Sequence, residues 1–203
     1  MKTWKIVGVV TVLMGMAIAL QAELIEDFES YADSTALNTD FSELQANTTV
    51  TLGASDGVGG GQSMHFNANT WASPWWGGAL YDWSGSLDGV TAVDMQIEAL
   101  TGTHGGNYFK AMLYDGFGTE IVSGSSIAVS SISSSGYQTY SIDTSGVGAG
   151  TTVSTVGFFF EATGGNGPSE IRIDNIQTIP EPATLGLLGL SVAVLMFLRR
   201  LRV

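Results

Sequence analysis

The chain has 203 residues, no cysteine and a formal net charge of −12, which suits one domain plus targeting segments and excludes disulfides and cysteine metal sites. Eighteen of the nineteen acidic residues lie between Glu23 and Asp174, where only Lys110 and Arg172 oppose them, a net −16. So acidic a body excludes DNA and RNA as partners, because polyanions are held by Lys and Arg.

The chain opens with Lys2 and Lys5, an apolar run from Ile6 to Leu20, and Gln21-Ala22. A basic start, a short apolar run and a small residue before Glu23 predict a signal peptide over residues 1–22. The run is shorter than a membrane span of about 20 residues.

Residues 23–178 read as one β-domain. Candidate strands are Leu24–Phe28, Thr48–Leu52, Ser63–Asn67, Gly78–Tyr81 and Ile127–Ser131. Period-two alternation is clearest where Val93, Met95 and Ile97, then Phe109, Ala111 and Leu113, then Tyr140 and Ile142, then Ile171 and Ile173 alternate with polar neighbours. Val156–Phe160 is a continuous apolar run, as expected of a central strand. Asp56-Gly57, Gly59-Gly60-Gly61, Asp88-Gly89, Gly105-Gly106-Asn107 and Asp115-Gly116 mark turns between them. No stretch shows convincing helical periodicity. The expected fold is all-β: a two-sheet antiparallel β-sandwich of the jelly-roll kind, followed by a few residues of linker.

The tail, residues 179–203, has its own pattern. Pro180-Glu181-Pro182 precedes an uncharged apolar stretch over about 183–198, and Arg199, Arg200 and Arg202 follow. Sixteen helical residues span about 24 Å, and flanking arginines can snorkel to reach across the rest of the bilayer. A transmembrane helix is expected there, with the basic end in the cytoplasm and the acidic body outside. The Pro180-Glu181-Pro182 motif, the apolar run and the Arg199-Arg200 cluster together resemble the PEP-CTERM sorting signal. That resemblance implies processing by an exosortase at the inner membrane of a Gram-negative bacterium. It also implies a destination at the cell surface or in the extracellular matrix, where exopolysaccharide is a partner to expect.

Within the body, Glu26-Asp27-Phe28-Glu29 near the start and Ile171-Arg172-Ile173-Asp174-Asn175-Ile176 near the end resemble the frame of galactose-binding-like jelly rolls, which include many carbohydrate-binding modules. This resemblance implies a structural Ca²⁺ site, for which Glu29 and Asp174 are the expected ligands. Hard oxygen donors suit that ion. The body tryptophans crowd into one segment, Trp71, Trp75, Trp76 and Trp83, with Tyr81 among them. Flat aromatic rings stack on sugar C–H faces, so these five are the expected carbohydrate contacts; the competing role for each is core packing. Adjacent strand residues face opposite ways, so Trp75 and Trp76 cannot both enter one core.

Support for catalysis is thin. His65 and His104 lack metal-spaced partners, and neither a nucleophile elbow nor a phosphate loop is present. The function expected is that of a non-catalytic, exported surface or matrix protein that binds polysaccharide. The alternatives are a structural matrix protein without a ligand and a polysaccharide-active enzyme.

Overall fold

The alternating stretches become strands, and a computed structural model places them over residues 22–69, 76–100, 106–162 and 168–181. In chain order they are β1 (Leu24–Glu26), helix α1 (Ser34–Asp40), β2 (Phe41–Glu43), β3 (Thr48–Gly53), β4 (Ser63–Asn69) and β5 (Trp76–Ser86). Then come β6 (Val90–Ala99), β7 (Asn107–Tyr114), β8 (Glu120–Ser123), β9 (Ile127–Ala128), β10 (Gln138–Asp143), β11 (Thr152–Ala162) and β12 (Pro168–Pro180). Residues Ala22–Ile179 form one compact unit. The signal peptide expected over residues 1–22, apart from Ala22, and the membrane helix expected about 183–198 lie outside the described residues. Among those described, no helix is long and apolar enough to cross a membrane.

Two antiparallel sheets face each other. The first runs β10-β6-β12-β4-β3, with β1 added to β12; the second runs β2-β5-β11-β7-β8, with β9 added to β7. The apolar run Val156–Phe160 sits in β11, in the middle of the second sheet between β5 and β7. Strand alternation sends one set of side chains inward. Val93, Met95 and Ile97 of β6, Phe109, Ala111 and Leu113 of β7, and Val156, Phe158 and Phe160 of β11 are all fully buried. Across the gap Phe66 stacks on Phe160 with centroids 4.7 Å apart and Phe109 meets Tyr140 edge-on at 5.1 Å, while within the second sheet Phe109 meets its cross-strand partner Phe160 edge-on at 6.0 Å.

Three features depart from the sequence reading. Helix α1 was not expected: it has only seven residues and buries only Leu37, too few for a periodic signal, and its start is fixed by the Asp33 carboxylate accepting from the amides of Thr35 and Ala36. Of Ile127–Ser131, only Ile127–Ala128 is strand, and the rest turns into a 3₁₀ segment. No linker precedes the tail motif, because β12 continues without a break to Pro180.

Both ends of the unit meet on β12. Its first half pairs with β4, Pro168↔Asn69 through Ile173↔Met64, and its second half pairs with β1, Leu24↔Gln177 and Glu26↔Ile176. At the changeover Asn175 has φ 46°, and just past β1 Phe28 has φ 63°. These are the two described non-glycine residues in the left-handed region. A clip closes the pairing: Glu23 N donates to Thr178 Oγ1 (3.0 Å), and Thr178 N donates to the Glu23 carbonyl (2.9 Å).

Candidate functional site

Alternation also decides what the second sheet shows to the outside. With Ala79, Tyr81 and Trp83 of β5 and Phe158 and Phe160 of β11 inward, the residues between them face out. Four cross-strand rows result. Trp76, Glu161 and Tyr108 share one; Gly78, Phe159 and Lys110 the next; Leu80, Gly157 and Met112 the third; Asp82, Thr155 and Tyr114 the fourth. Trp76, Phe159 and Tyr114 thus run diagonally across β5, β11 and β7. Their neighbouring ring centroids are 6.4 Å apart at both steps.

Two glycines form the floor of this track. A Cβ on Gly78 would come within 2.8 Å of the Phe159 ring and 3.1 Å of Leu44. One on Gly157 would come within 2.6 Å of Phe159, 2.8 Å of Tyr114 and 3.2 Å of Leu80. The rings therefore lie low over the sheet where no side chain stands beneath them. Leu44, Leu80, Tyr114, Gly118, Thr155 and Phe159 line a groove of about 260 Å³ at the Phe159–Tyr114 end of the track. Burial pushes the Tyr114 hydroxyl's pKa up, with a further push from the Glu120 charge, and that hydroxyl donates to Met112 Sδ at 3.0 Å. Asp82 and Glu161 are exposed at the two ends, and Lys110 is half-buried beside Phe159.

The expected aromatic set divides. Trp76 is half-buried on this outer face. Tyr81 and Trp83 are corrected: both are only 8% exposed and belong to the core. Tyr81 stacks on Phe41 at 4.8 Å and donates to Glu26 Oε2 at 2.9 Å, and its burial raises the phenol's pKa well above the ordinary value. The Trp83 indole lies over Gly85, whose Cβ would collide with it. Inward residues of one strand cannot also serve its outer face. Trp71 and Trp75 lie outside the described residues. Sequence reasoning missed Phe159, Tyr114, Leu80 and Leu44. The alternation around Phe158–Phe160 could have placed Phe159 outside, but the continuous apolar run hid the period.

Glu29 and Asp174 reach the same loop, Gly57–Gln62. Glu29 Oε1 accepts from Gln62 N at 2.7 Å; Asp174 Oδ2 accepts from Val58 N at 2.6 Å and its Oδ1 from Asn175 N at 2.7 Å. A Cβ on Gly61 would collide with Glu29 Oε1, and one on Gly57 would press on Asp174 Oδ2 at 2.8 Å, so glycine is what lets both carboxylates approach. The Gln62 amide, with its nitrogen turned inward, donates to the carbonyls of Phe28 (2.6 Å) and Tyr31 (3.2 Å). Burial raises the Asp174 pKa, and the charges of Glu29 and Asp27 raise it further against the two backbone hydrogen bonds. The donor set is hard oxygen carrying unneutralised charge, which fits Ca²⁺. Among the described residues no three acidic or histidine side chains converge into a cage, so carbonyl oxygens would have to complete the coordination.

The outer face of the first sheet is of a different kind. His65 lies between Asp56 (Nε2–Oδ2 2.6 Å) and Glu170 (Nδ1–Oε1 3.1 Å), and Arg172 joins Asp56 (3.2 Å) to Glu98 (3.1 Å). Burial works to raise the Asp56 pKa, but the Ser63 hydroxyl, His65 and Arg172 together hold it below its ordinary value. Burial pushes the nearby Tyr137 phenol up to about 12, and its hydroxyl donates to the Asp56 carbonyl at 2.8 Å. In this network one arginine and one histidine hold three carboxylates together, with Tyr137 at its edge. His65 thus has a structural partner set that spacing along the chain could not show; His104 lies outside the described residues.

Of the processing motif, Pro180 ends β12 and Glu181 is exposed just beyond it. Pro182, Arg199 and Arg200 lie outside the described residues. The PEP-CTERM protein-sorting motif matches residues 178–202. No curated protein is significantly similar to the chain in sequence. In fold, the chain is similar to the family 11 carbohydrate-binding module of cellulosomal cellulase Lic26A-Cel5E of Clostridium thermocellum. The identity is 15%, the TM-score is 0.54, and the match covers 80% of this chain and 96% of that one. A family 30 carbohydrate-binding module matches at 12% identity and a TM-score of 0.55, over 80% of this chain and 100% of that one. An exo-beta-agarase matches at 13% identity and a TM-score of 0.57, over 78% of this chain and 25% of the enzyme. The chain therefore carries a PEP-CTERM sorting motif behind a body with the β-sandwich fold of carbohydrate-binding modules.

Proposed function

We propose that this is an exported, exosortase-sorted, non-catalytic surface or matrix protein whose body binds polysaccharide along Trp76, Phe159 and Tyr114. The observation that carries the reading is the aromatic track lying over Gly78 and Gly157. The rings are half-buried, packed by one side against the sheet, and their outer sides offer flat apolar surface with polar ends, the surface a sugar ring stacks on. Asp82 and Glu161 at the ends of the track can accept hydrogen bonds from sugar hydroxyls. Sorting to the outside supports the same reading, since an exopolysaccharide is there to be met. Retention of the protein on its host's purified exopolysaccharide tests this. Wild type is retained, while Phe159→Ala and Trp76→Ala each weaken binding by about 3- to 10-fold, the scale of one aromatic contact. No retention of wild type would favour the ligand-free structural reading.

Ca²⁺ belongs to the proposal as a structural ion. Glu29 and Asp174 would hold it together with carbonyl oxygens around the Gly57–Gln62 loop, relieving the charge that Asp27, Glu29 and Asp174 place there. Such an ion would brace β1 and β12 and take no part in stacking the sugar.

A further inference from the structure

We propose that Phe117 is a fourth aromatic contact that extends the groove beyond Tyr114, so that the protein discriminates long polysaccharide chains from short ones. This rests on the carbohydrate reading of the groove and adds a length preference to it. Phe117 is 96% exposed, far more than any other large apolar residue among those described; Leu24, at 52%, comes next. It contributes nothing to the core. Yet the turn that carries it, between β7 and β8, is closely held. Asp115 Oδ1 accepts from Phe117 N (2.9 Å) and Thr119 N (2.8 Å). Asp115 N donates to the Thr119 carbonyl (3.0 Å), and Gly118 N donates to the Asp115 carbonyl (3.1 Å). Gly118 has φ 76°, a conformation that favours glycine, and it lines the groove together with Tyr114 and Thr155.

The position follows from these contacts. A chain lying along Trp76, Phe159 and Tyr114 passes Gly118 as it leaves the groove, and Phe117, the residue before Gly118 in the same turn, is the exposed ring nearest in the chain to that exit. A ring on a pre-ordered turn costs little entropy to engage, since the backbone is already fixed. A short oligosaccharide that fills the groove stops before the ring, and a longer one reaches it.

The test uses the protein purified from its host and that host's exopolysaccharide, partially hydrolysed and fractionated by length. Binding of each fraction is measured for wild type, Phe117→Ala and Phe117→Trp. Wild-type affinity is expected to rise with length beyond the fragments that fill the groove. Phe117→Ala should remove that rise, weakening the long fractions by about 3- to 10-fold and leaving the short ones unchanged, and Phe117→Trp should restore it. The melting temperature of all three should agree, because the side chain packs against nothing. Equal affinity of wild type and Phe117→Ala for every fraction would overturn the extension while leaving the groove reading intact. A uniform loss at all lengths would place Phe117 inside the groove and also overturn it. Failure of wild type to bind any fraction would overturn both.

Discussion

Two aspartates illustrate how opposite environments give opposite pH responses. Asp56 is held below its ordinary 3.8 by Ser63, His65 and Arg172. A lowered folded-state value means its stabilisation is present above 3.8 and is lost as pH falls through the folded value. Asp174 is raised above 3.8 by burial and by Glu29 and Asp27. Its contribution is fullest below 3.8 and declines as pH rises through the raised value. Melting followed across pH in EGTA at fixed ionic strength should show both limbs. Asp56→Asn flattens the acid limb and Asp174→Asn the one above it; a profile unchanged in either variant contradicts the assignment. Core residues behave more simply. Phe160→Ala removes the ring stacked on Phe66 and should cost about 3–5 kcal/mol, read as a fall in the denaturation midpoint.

What was legible at this scale depended on whether the period-two signal was clean. Val93, Met95 and Ile97 alternate with polar neighbours, and their burial could be read directly. Phe158-Phe159-Phe160 has no polar partner to mark the outward residue, so the outward position of Phe159 is not legible in the run. Tyr81 and Trp83 failed in the other direction. Tryptophan density pointed to a surface, but the two residues lie two positions apart on β5 and face the same way as Ala79, into the core. Glu29 and Asp174 stand 145 positions apart in the chain, so only the jelly-roll resemblance, and no spacing, suggests that both reach one loop.

Among the elements, β12 carries the most consequences. It spans Pro168–Pro180, joins β4, β6 and β1, and delivers its last residue as the first proline of the sorting motif. The Ile179 carbonyl accepts from Thr91 Oγ1 at 3.2 Å, so the strand is held to within one residue of Pro180. Proteases act on backbone that has come away from its sheet. Inserting a four-residue Gly-Ser spacer after Ile179 should therefore speed conversion of precursor to product in a pulse-chase in the host. An unchanged rate would show that the strand end does not limit access. The same element gives the cation proposal its measurement. An ion that binds only the folded state stabilises by about 2.7 kcal/mol at a hundredfold excess over Kd, and about 1 kcal/mol moves Tm by ~2–4 °C in a domain of this size. Millimolar Ca²⁺ should raise Tm by several degrees over EGTA at fixed ionic strength, and Glu29→Ala should remove the difference. Equal melting under both conditions would mean the loop holds no ion.

For the molecule as a whole, the two sheets separate two kinds of outer surface. The first sheet shows an ion network centred on Asp56, His65 and Arg172; the second shows the track of Trp76, Phe159 and Tyr114. A net −16 over the body adds a long-range term that repels polyanions, so neutral polysaccharide should bind with little dependence on salt, and anionic polysaccharide more weakly at low salt than at high. The central claim is that the glycan lies on the second sheet. Titrating the protein with exopolysaccharide fragments and following the NMR signals of its aromatic rings tests that claim most directly. The Trp76, Phe159 and Tyr114 rings are expected to shift together, saturating with one affinity, while the buried Tyr81 and Trp83 and the Tyr137 ring beside Asp56 stay in place. Shifts confined to the first sheet, or none at saturating fragment, would contradict it.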